Sequence, residues 1–248
     1  TETQAGLEEE SRRPLVDWLL ACQHKEVHPY TQAAPGGWAW SDLPGAVPDA
    51  DDTAGALLTL HRLGSNDAIA LEAAEAGIGW LLGLQNRDGG IPTFCRGWTN
   101  LPFDRSAADL TAHALGAMGV WLEKLPADLR GRTEEAMSRA MEFLQVAQRE
   151  DGSWTPLWFG NQSVPNQENP VYGTSRVLTH VMRMPVPQHH QMAAACQQGI
   201  HWLLSAQNAD GGWGGAVDVA SSIEETALAV DALAAVGCAS HTNSTAWT

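Results

Sequence analysis

The sequence predicts an all-α protein, an α/α barrel or toroid built from about four helix pairs. Two repeating patterns predict this fold. In the first, a glutamine at the end of a helix is followed by a glycine-rich turn and usually by a tryptophan, and the pattern recurs about every 60 residues. In the second, a threonine opens a more apolar helix at the same pace. No segment alternates polar and apolar residues over enough length to predict a competing sheet.

The glutamine pattern marks the outer helix of each pair. An amphipathic run ends at the glutamine, and the glycines that follow stop the helix. We expect the glutamine amide to bond the free carbonyls of the helix end, with the indole packed over it. The glutamines are Gln23, Gln85, Gln148 and Gln207, and the tryptophans are Trp38, Trp154 and Trp213, with Ile91 in the equivalent position of the second repeat.

The threonine pattern marks the inner helices, which are apolar on most sides and are therefore expected to be buried. The threonines are Thr53, Thr111, Thr174 and Thr226. Amphipathic outer helices that alternate with apolar inner ones form an α/α toroid. Four pairs do not complete a six-pair barrel, and open ends leave apolar faces exposed. We divide the chain into a polar lead-in (1–14), the toroid (15–238) and a polar tail (239–248).

Composition restricts the class of protein. The chain has 248 residues and 44% hydrophobic content, enough for one core. Its formal net charge of −15, without a basic stripe, argues against a nucleic-acid partner. The four cysteines form no CxxC pair and are expected to be reduced, as in a cytoplasmic protein. The polar, acidic amino terminus predicts no signal peptide, and no apolar stretch is long enough to span a membrane.

One segment carries an acidic motif within this framework. Residues 35–40 read Pro-Gly-Gly-Trp-Ala-Trp, and residues 48–54 read Pro-Asp-Ala-Asp-Asp-Thr-Ala. Together with the glutamine–tryptophan repeats, these segments resemble the squalene-hopene and oxidosqualene cyclases, the class II triterpene cyclases, and their Asp-x-Asp-Asp motif. The resemblance runs from about residue 15 to residue 236. It covers the carboxy-terminal catalytic barrel of enzymes that are about twice as long as this chain.

The resemblance implies that Asp51 protonates an alkene, with Asp49 and Asp52 tuning its acidity. Crowded carboxylates cannot all ionise, so one of the three is expected to keep its proton. The apparent pKa values then belong to the cluster. A structural alternative remains, because acidic side chains just before an apolar helix also cap its free amides and complement its dipole.

The resemblance also implies supporting residues. His113 falls where the family keeps a histidine bonded to the catalytic aspartate, and the remaining eight histidines are interpreted as surface residues. Aromatic faces stabilise carbocations without offering a base. The resemblance places Asp104, Asp109 and Tyr172 in the polar network around the acid, and it implies that Trp40, Trp158 and Phe94 stabilise the cation.

The function that follows is a cyclase acting on squalene or a related polyprenoid, with no cofactor and no metal. We expect a cytoplasmic protein. Because the substrate is a lipid, the resemblance also implies a peripheral contact with the membrane. One alternative is a shortened, non-catalytic isoprenoid-binding module. Another is a class II diterpene cyclase, which would need Mg²⁺ and a basic cluster, for which only Arg96 and Arg105 are candidates. A zinc prenyltransferase β-subunit and a glycosidase-type toroid are weaker alternatives, because neither the zinc ligands nor a second carboxylate is identified.

Overall fold

The computed structural model describes residues 9–64, 66–94, 104–185 and 188–242. Within these ranges the chain is mostly helical, and the all-α prediction is confirmed. The helices alternate between an outer and an inner layer. The outer helices are α1 (Glu9–Cys22), α3 (Ala68–Leu84), α5 (Ala127–Ala147) and α7 (Ala193–Ser205). The inner helices are α2 (Ala50–Gly64), α4 (Ala108–Trp121), α6 (Pro170–Met182) and α8 (Ile223–Thr242).

The inner helices pack side by side, and the outer helices cover them. Helix α4 contacts α2 on one side, α6 on the other and α5 from outside. Residues 108–119 of α4 are consequently all buried, as expected for a helix that is apolar all round. The first turn of each inner helix lies next to the segment that follows the preceding glutamine, because the recurring threonine accepts a hydrogen bond from it.

A short antiparallel ribbon precedes α2. It consists of β1 (Trp38–Ala39) and β2 (Pro48–Asp49), and Trp38 lies opposite Asp49. A single bridge on the other side pairs Asp49 with Phe94. Although too short to form a layer, this ribbon fixes the acidic motif between two aromatic segments.

The Gln–Trp turns (residues 23–38, 85–91, 148–154 and 207–213) join neighbouring outer helices. Nε2 of Gln148 donates to the carbonyls of Gly152 and Ala195, both at 2.8 Å, and Ala195 belongs to the next outer helix. Nε1 of Trp154 donates to the carbonyl of Leu144, in the last turn of the preceding outer helix, at 2.7 Å. The prediction that the glutamine serves its own helix end is therefore wrong. The indole N–H bonds the carbonyl at the end of the preceding helix, and the glutamine amide bonds a carbonyl of the next outer helix.

The recurring threonines tie each turn to the inner helix that follows it. The main-chain N–H of Trp154 donates to Oγ1 of Thr174 at 3.0 Å. The same bond recurs in the other repeats, from Trp38 to Thr53, from Ile91 to Thr111 and from Trp213 to Thr226. Each threonine is thus an acceptor for a buried amide that would otherwise lack a partner.

Helices extend past both predicted boundaries of the toroid. Helix α1 begins at Glu9, within the predicted lead-in, because Arg13 pairs with Asp17 one turn later at 2.9 Å and reaches Asp67 at 3.0 Å. Helix α8 continues to Thr242, within the predicted tail, since residues 239–242 contain no glycine or proline to stop it. The division into lead-in, toroid and tail otherwise stays a prediction.

Two cysteines are described with their side chains. Cys22 and Cys196 are free, and burial raises the pKa of the Cys196 thiol to about 12. Cys95 and the side chain of Cys238 lie outside the described residues. Among the described ranges, none of the helices combines the length and the apolar composition that a bilayer crossing requires.

Candidate functional site

Asp49 caps the inner helix α2. Its carboxylate oxygen Oδ1 accepts a hydrogen bond from the main-chain N–H of Asp52 at 2.8 Å, and the residue is only 5% exposed. This is the geometry of an N-cap, which satisfies one of the free amides of the first turn. The structural interpretation of the acidic motif therefore holds for Asp49, while Asp51 and Asp52 lie in the first turn of the helix.

Asp51 and His113 form the central contact of the site. Nδ1 of His113, on α4, lies 2.6 Å from Oδ1 of Asp51, on α2. His113 is buried, whereas the Asp51 side chain retains 45% of its exposure. The pair predicted from the sequence is thus brought together across two inner helices, with the carboxylate at the open side.

The pKa values of Asp49 and Asp51 shift in opposite directions. Burial, followed by the hydrogen bond with the Asp52 side chain, raises the pKa of Asp49 to about 9. Burial also acts to raise the pKa of Asp51, but the hydrogen bond and charge of His113 and the charge of Arg176 outweigh it, so the net pKa is lowered. Asp49 therefore favours its protonated form and Asp51 its ionised form, and the sharing of a proton within the cluster stays a prediction.

We expect Asp49→Asn to remove a pH dependence of stability. In the unfolded chain Asp49 ionises near its ordinary pKa of about 3.9, whereas the folded chain holds the proton up to about pH 9. The free energy of unfolding of the wild type should therefore fall as the pH rises from about 4 to about 9. Asparagine does not titrate and still accepts the capping bond.

Urea denaturation of both proteins at pH 4, 6, 8 and 9 measures this effect. The variant should gain about 2 kcal/mol or more over the wild type across the range, since one pKa unit corresponds to about 1.4 kcal/mol. Asp49→Ala is the control, because it also stops titrating but loses the cap, at a cost of about 1 kcal/mol. Parallel curves for wild type and Asp49→Asn would contradict the raised pKa.

Two of the predicted supporting residues lie close to the pair. Asp109 is 3% exposed, burial raises its pKa to about 6, and the charge of Asp51 contributes. Its Oδ1 has no hydrogen-bond partner within the described chain. Burial likewise raises the pKa of Tyr172. The charges of Asp109 and Asp51 also raise it, whereas the charge of Arg176 acts in the opposite direction. Asp104 is not connected to the pair by any described contact. Its carbonyl accepts a bond from Asn86 in the turn after α3.

Sequence reasoning missed two residues on α6. Arg176 lies one turn after Tyr172, and its charge acts on Asp51 and Asp109. The sequence signal that could have identified Arg176 is its spacing of four residues from Tyr172, which places both side chains on one face of the helix. His180 lies one turn further on and is 8% exposed, and His28 is 3% exposed, so the interpretation of the remaining histidines as surface residues is wrong for these two. Of the two arginines predicted near the acid, Arg105 is exposed and Arg96 lies outside the described residues.

Aromatic side chains surround the acidic end. Trp40 meets Phe94 edge to face, with ring centroids 6.4 Å apart. Trp158 donates its indole N–H to Thr93, whose carbonyl accepts the first amide of α2. Phe159, which the sequence reasoning missed, stacks on Tyr172 at 4.6 Å. We call the residues Trp40, Phe94, Trp158, Phe159 and Tyr172 the aromatic collar.

The collar is open to solvent in this chain. Trp40 is 64% exposed, Trp158 38% and Phe159 42%. Large exposed aromatic groups around a carboxylate are typical of a binding surface that a ligand or a further segment covers. In the described part of the chain, no group of three or more histidine, cysteine or acidic residues is placed to hold a metal ion.

Comparison with known proteins places the chain in a family. The family described as squalene-hopene cyclase C-terminal domain matches residues 2–248. The terpene cyclase-glycosyl transferase fusion protein fsoA of Humicola fuscoatra is 33% identical over 88% of the chain, which covers 18% of that protein. The squalene–hopene cyclase of Zymomonas mobilis is 29% identical over 82% of the chain, which covers 32% of that enzyme. The chain thus spans a third or less of both relatives.

The fold has solved counterparts. A variant of the type II terpene cyclase MstE from Scytonema, solved with its geranylgeranyl dihydroxybenzoate substrate, superimposes with a TM-score of 0.62 at 18% identity. The comparison covers 95% of this chain and 62% of MstE, and it shows a shared α/α toroid. Because the family match extends over nearly every residue, the chain belongs to the squalene-hopene cyclase C-terminal domain family.

Proposed function

We propose that this chain is the acid-bearing part of a class II terpene cyclase that starts the cyclisation of a polyprenoid by protonating an alkene. The observation that carries the proposal is the 2.6 Å contact between His113 and Asp51 at the open, aromatic end of the inner helices. Family membership supports a cyclase, and the contact supports Asp51 as the proton donor. The activity, substrate and partners of the whole protein remain part of this proposal, since the chain covers only part of its relatives.

In the proposed first step, the proton leaves a carboxyl oxygen of Asp51 and forms a C–H bond with the π electrons of a terminal alkene. The adjacent carbon becomes a cation, and Asp51 becomes a carboxylate. Protonated His113 donates to that carboxylate, and Arg176 adds a second positive charge nearby. Both stabilise the anion formed in the step, so Asp51 is a strong acid when it transfers its proton.

A donor must carry its proton before the reaction begins. The Asp51 side chain is 45% exposed and its net pKa is lowered in this chain. Burial is already the largest influence on it and acts in the opposite direction. A hydrocarbon chain lying in the collar would cover the carboxyl group, raise its pKa and favour the protonated form. Substrate binding would thus itself favour the protonated form of Asp51.

The cation needs stabilisation without a nucleophile, and the aromatic collar offers ring faces for it. A desolvated cation–π contact is worth about 2 kcal/mol. The next alkene of the substrate then attacks the cation to form a new C–C bond, and loss of a proton or capture of water ends the sequence. Nothing in this scheme calls for a metal ion or cofactor.

The direct test is product analysis of the complete natural protein that contains this segment. Purified protein is incubated with squalene, and products are identified by gas chromatography and mass spectrometry. Cyclic triterpenes support the proposal. If geranylgeranyl diphosphate alone is cyclised, the protein is a diterpene cyclase. If a folded protein binds squalene without converting either compound, it is a non-catalytic isoprenoid-binding module.

We expect Trp40→Ala to lower kcat about thirtyfold, since about 2 kcal/mol of cation stabilisation corresponds to that factor. Trp40 is 64% exposed, so the variant should unfold at the same urea concentration as the wild type. Trp40→Phe, which keeps a ring face, is the matched control and should retain most of the rate. Equal rates for wild type and Trp40→Ala would remove Trp40 from the proposed cation site.

A further inference from the structure

A second imidazole lies behind the proposed proton donor. The ring of His180, on α6, stacks on the ring of His113, with centroids 4.3 Å apart and an angle of 24° between the ring planes. His113 in turn holds Asp51 at 2.6 Å. His180 is 8% exposed, as is His113. Three side chains from three inner helices therefore form one line from the core to the open end of the site.

Two glycines leave room for this stack. A Cβ atom at Gly116 of α4 would lie 3.4 Å from Cβ of His180 and 3.6 Å from its Nδ1. A Cβ atom at Gly55 of α2 would lie 3.8 Å from Cε1 of His113. The His113 ring thus lies beside Gly55 of α2 and stacks on the His180 ring of α6. Its rotation is restricted by packing in addition to its bond to Asp51.

The surroundings of His180 favour its neutral form. Burial, followed by the positive charge of His113, lowers the pKa of His180 well below its ordinary value. The other cations that act on it are Arg176 and Arg183 of α6 and Arg62 of α2. His180 is therefore neutral at neutral pH, and its Nε2 has no hydrogen-bond partner in the described chain. A neutral ring can accept a protonated imidazole on its face, whereas a second charged ring would repel it.

We propose that His180 is a positioning residue for the proton-donating pair, which holds the His113 imidazole so that Nδ1 stays directed at Asp51. This inference rests on the proposed function, in which Asp51 transfers the proton. Without the stacked ring, the His113 ring would be free to turn about its side-chain bonds and lose its alignment with the carboxylate. Misplacement of a catalytic group by about 1 Å can cost about a hundredfold in rate.

Two variants separate this role from simple packing. His180→Phe keeps an aromatic face but has no titratable nitrogen, and His180→Ala removes the ring. We expect His180→Phe to stay within about threefold of the wild-type kcat. For His180→Ala we expect a loss of about tenfold to a hundredfold in kcat with little change in KM. The pH dependence of activity should change as well, because the hydrogen bond from His113 that lowers the pKa of Asp51 is then less well aligned. His201→Ala, at an exposed position of α7, is the control.

A second measurement needs no turnover. Nitrogen-15 spectra of the histidine rings, recorded at neutral pH, report the tautomer and the hydrogen bonding of His113. Both should change in His180→Ala and stay close to wild type in His180→Phe. If His180→Ala leaves kcat, pH profile and His113 spectra unchanged, the inference is wrong. If the spectra change as expected but the wild type forms no cyclic product, the positioning role stands and the proposed function fails.

Discussion

Asp51→Asn should abolish cyclisation in the complete protein while leaving the fold intact. Asparagine keeps an oxygen that can accept a bond from His113, which lies 2.6 Å from the wild-type carboxylate. It has no acidic proton to transfer to an alkene. General acid catalysis by a positioned side chain contributes about 10²- to 10⁴-fold. We expect kcat to fall about a thousandfold or more.

The measurement is the rate of cyclic product formation, with the urea midpoint of both proteins as the test of folding. Asp42→Asn is the matched control, because Asp42 is an exposed aspartate outside the site. It should keep the wild-type rate. A folded Asp51→Asn protein that still forms product at a rate close to wild type would rule out Asp51 as the donor and would make Asp49, whose pKa is raised to about 9, the next candidate.

The largest expected effect on stability is at a Gln–Trp turn. Trp154 is fully buried, and its indole donates to the carbonyl of Leu144 at 2.7 Å. Trp154→Ala should therefore cost about 3 to 5 kcal/mol, the usual range for removing a buried large aromatic side chain. Trp158→Ala is the comparison, because Trp158 is 38% exposed and its loss should affect product formation more than stability. Urea denaturation of each variant measures the free energy of unfolding.

Gly199 provides a second-site test of the same packing. A Cβ atom at Gly199 of α7 would lie 2.7 Å from Cζ3 of Trp154, so Gly199→Ala should destabilise the wild type. In the Trp154→Ala background the indole is gone, and the added methyl group should be neutral or stabilising. The double-mutant cycle should give a coupling energy of about 1 to 3 kcal/mol. A coupling near zero would contradict the close approach of the indole to α7.

Much of the fold could be predicted from sequence because its signals are local and repeated. The glutamines and the threonines recur once in each helix pair, so each copy supports the assignment of the others. What each of these residues bonds to could not be predicted in the same way. The glutamine amide reaches the next outer helix, as Gln148 reaches Ala195, and that partner is far away in sequence.

The residues of the candidate site likewise fall into those that the sequence identifies and those that only the structure identifies. The acidic motif and His113 could be identified because they occupy short, recognisable segments. Arg176 and His180 could not, because each is a single polar residue on an apolar helix, where a buried structural role is the usual expectation. Only the packing of α6 against α4 brings His180 onto the ring of His113.

The sequence by itself determined the all-α class, the helix pairs, the family resemblance and the identity of the acidic cluster. These follow from periodicity and from short motifs, which depend on neighbours along the chain. The tertiary structure alone decided the directions in which the pKa values of Asp49 and Asp51 shift. Asp49 and Asp51 are two residues apart, yet burial raises the pKa of Asp49, while His113 and Arg176 lower that of Asp51. Proton affinity depends on burial and on charges from other helices, and these are set only when the helices pack.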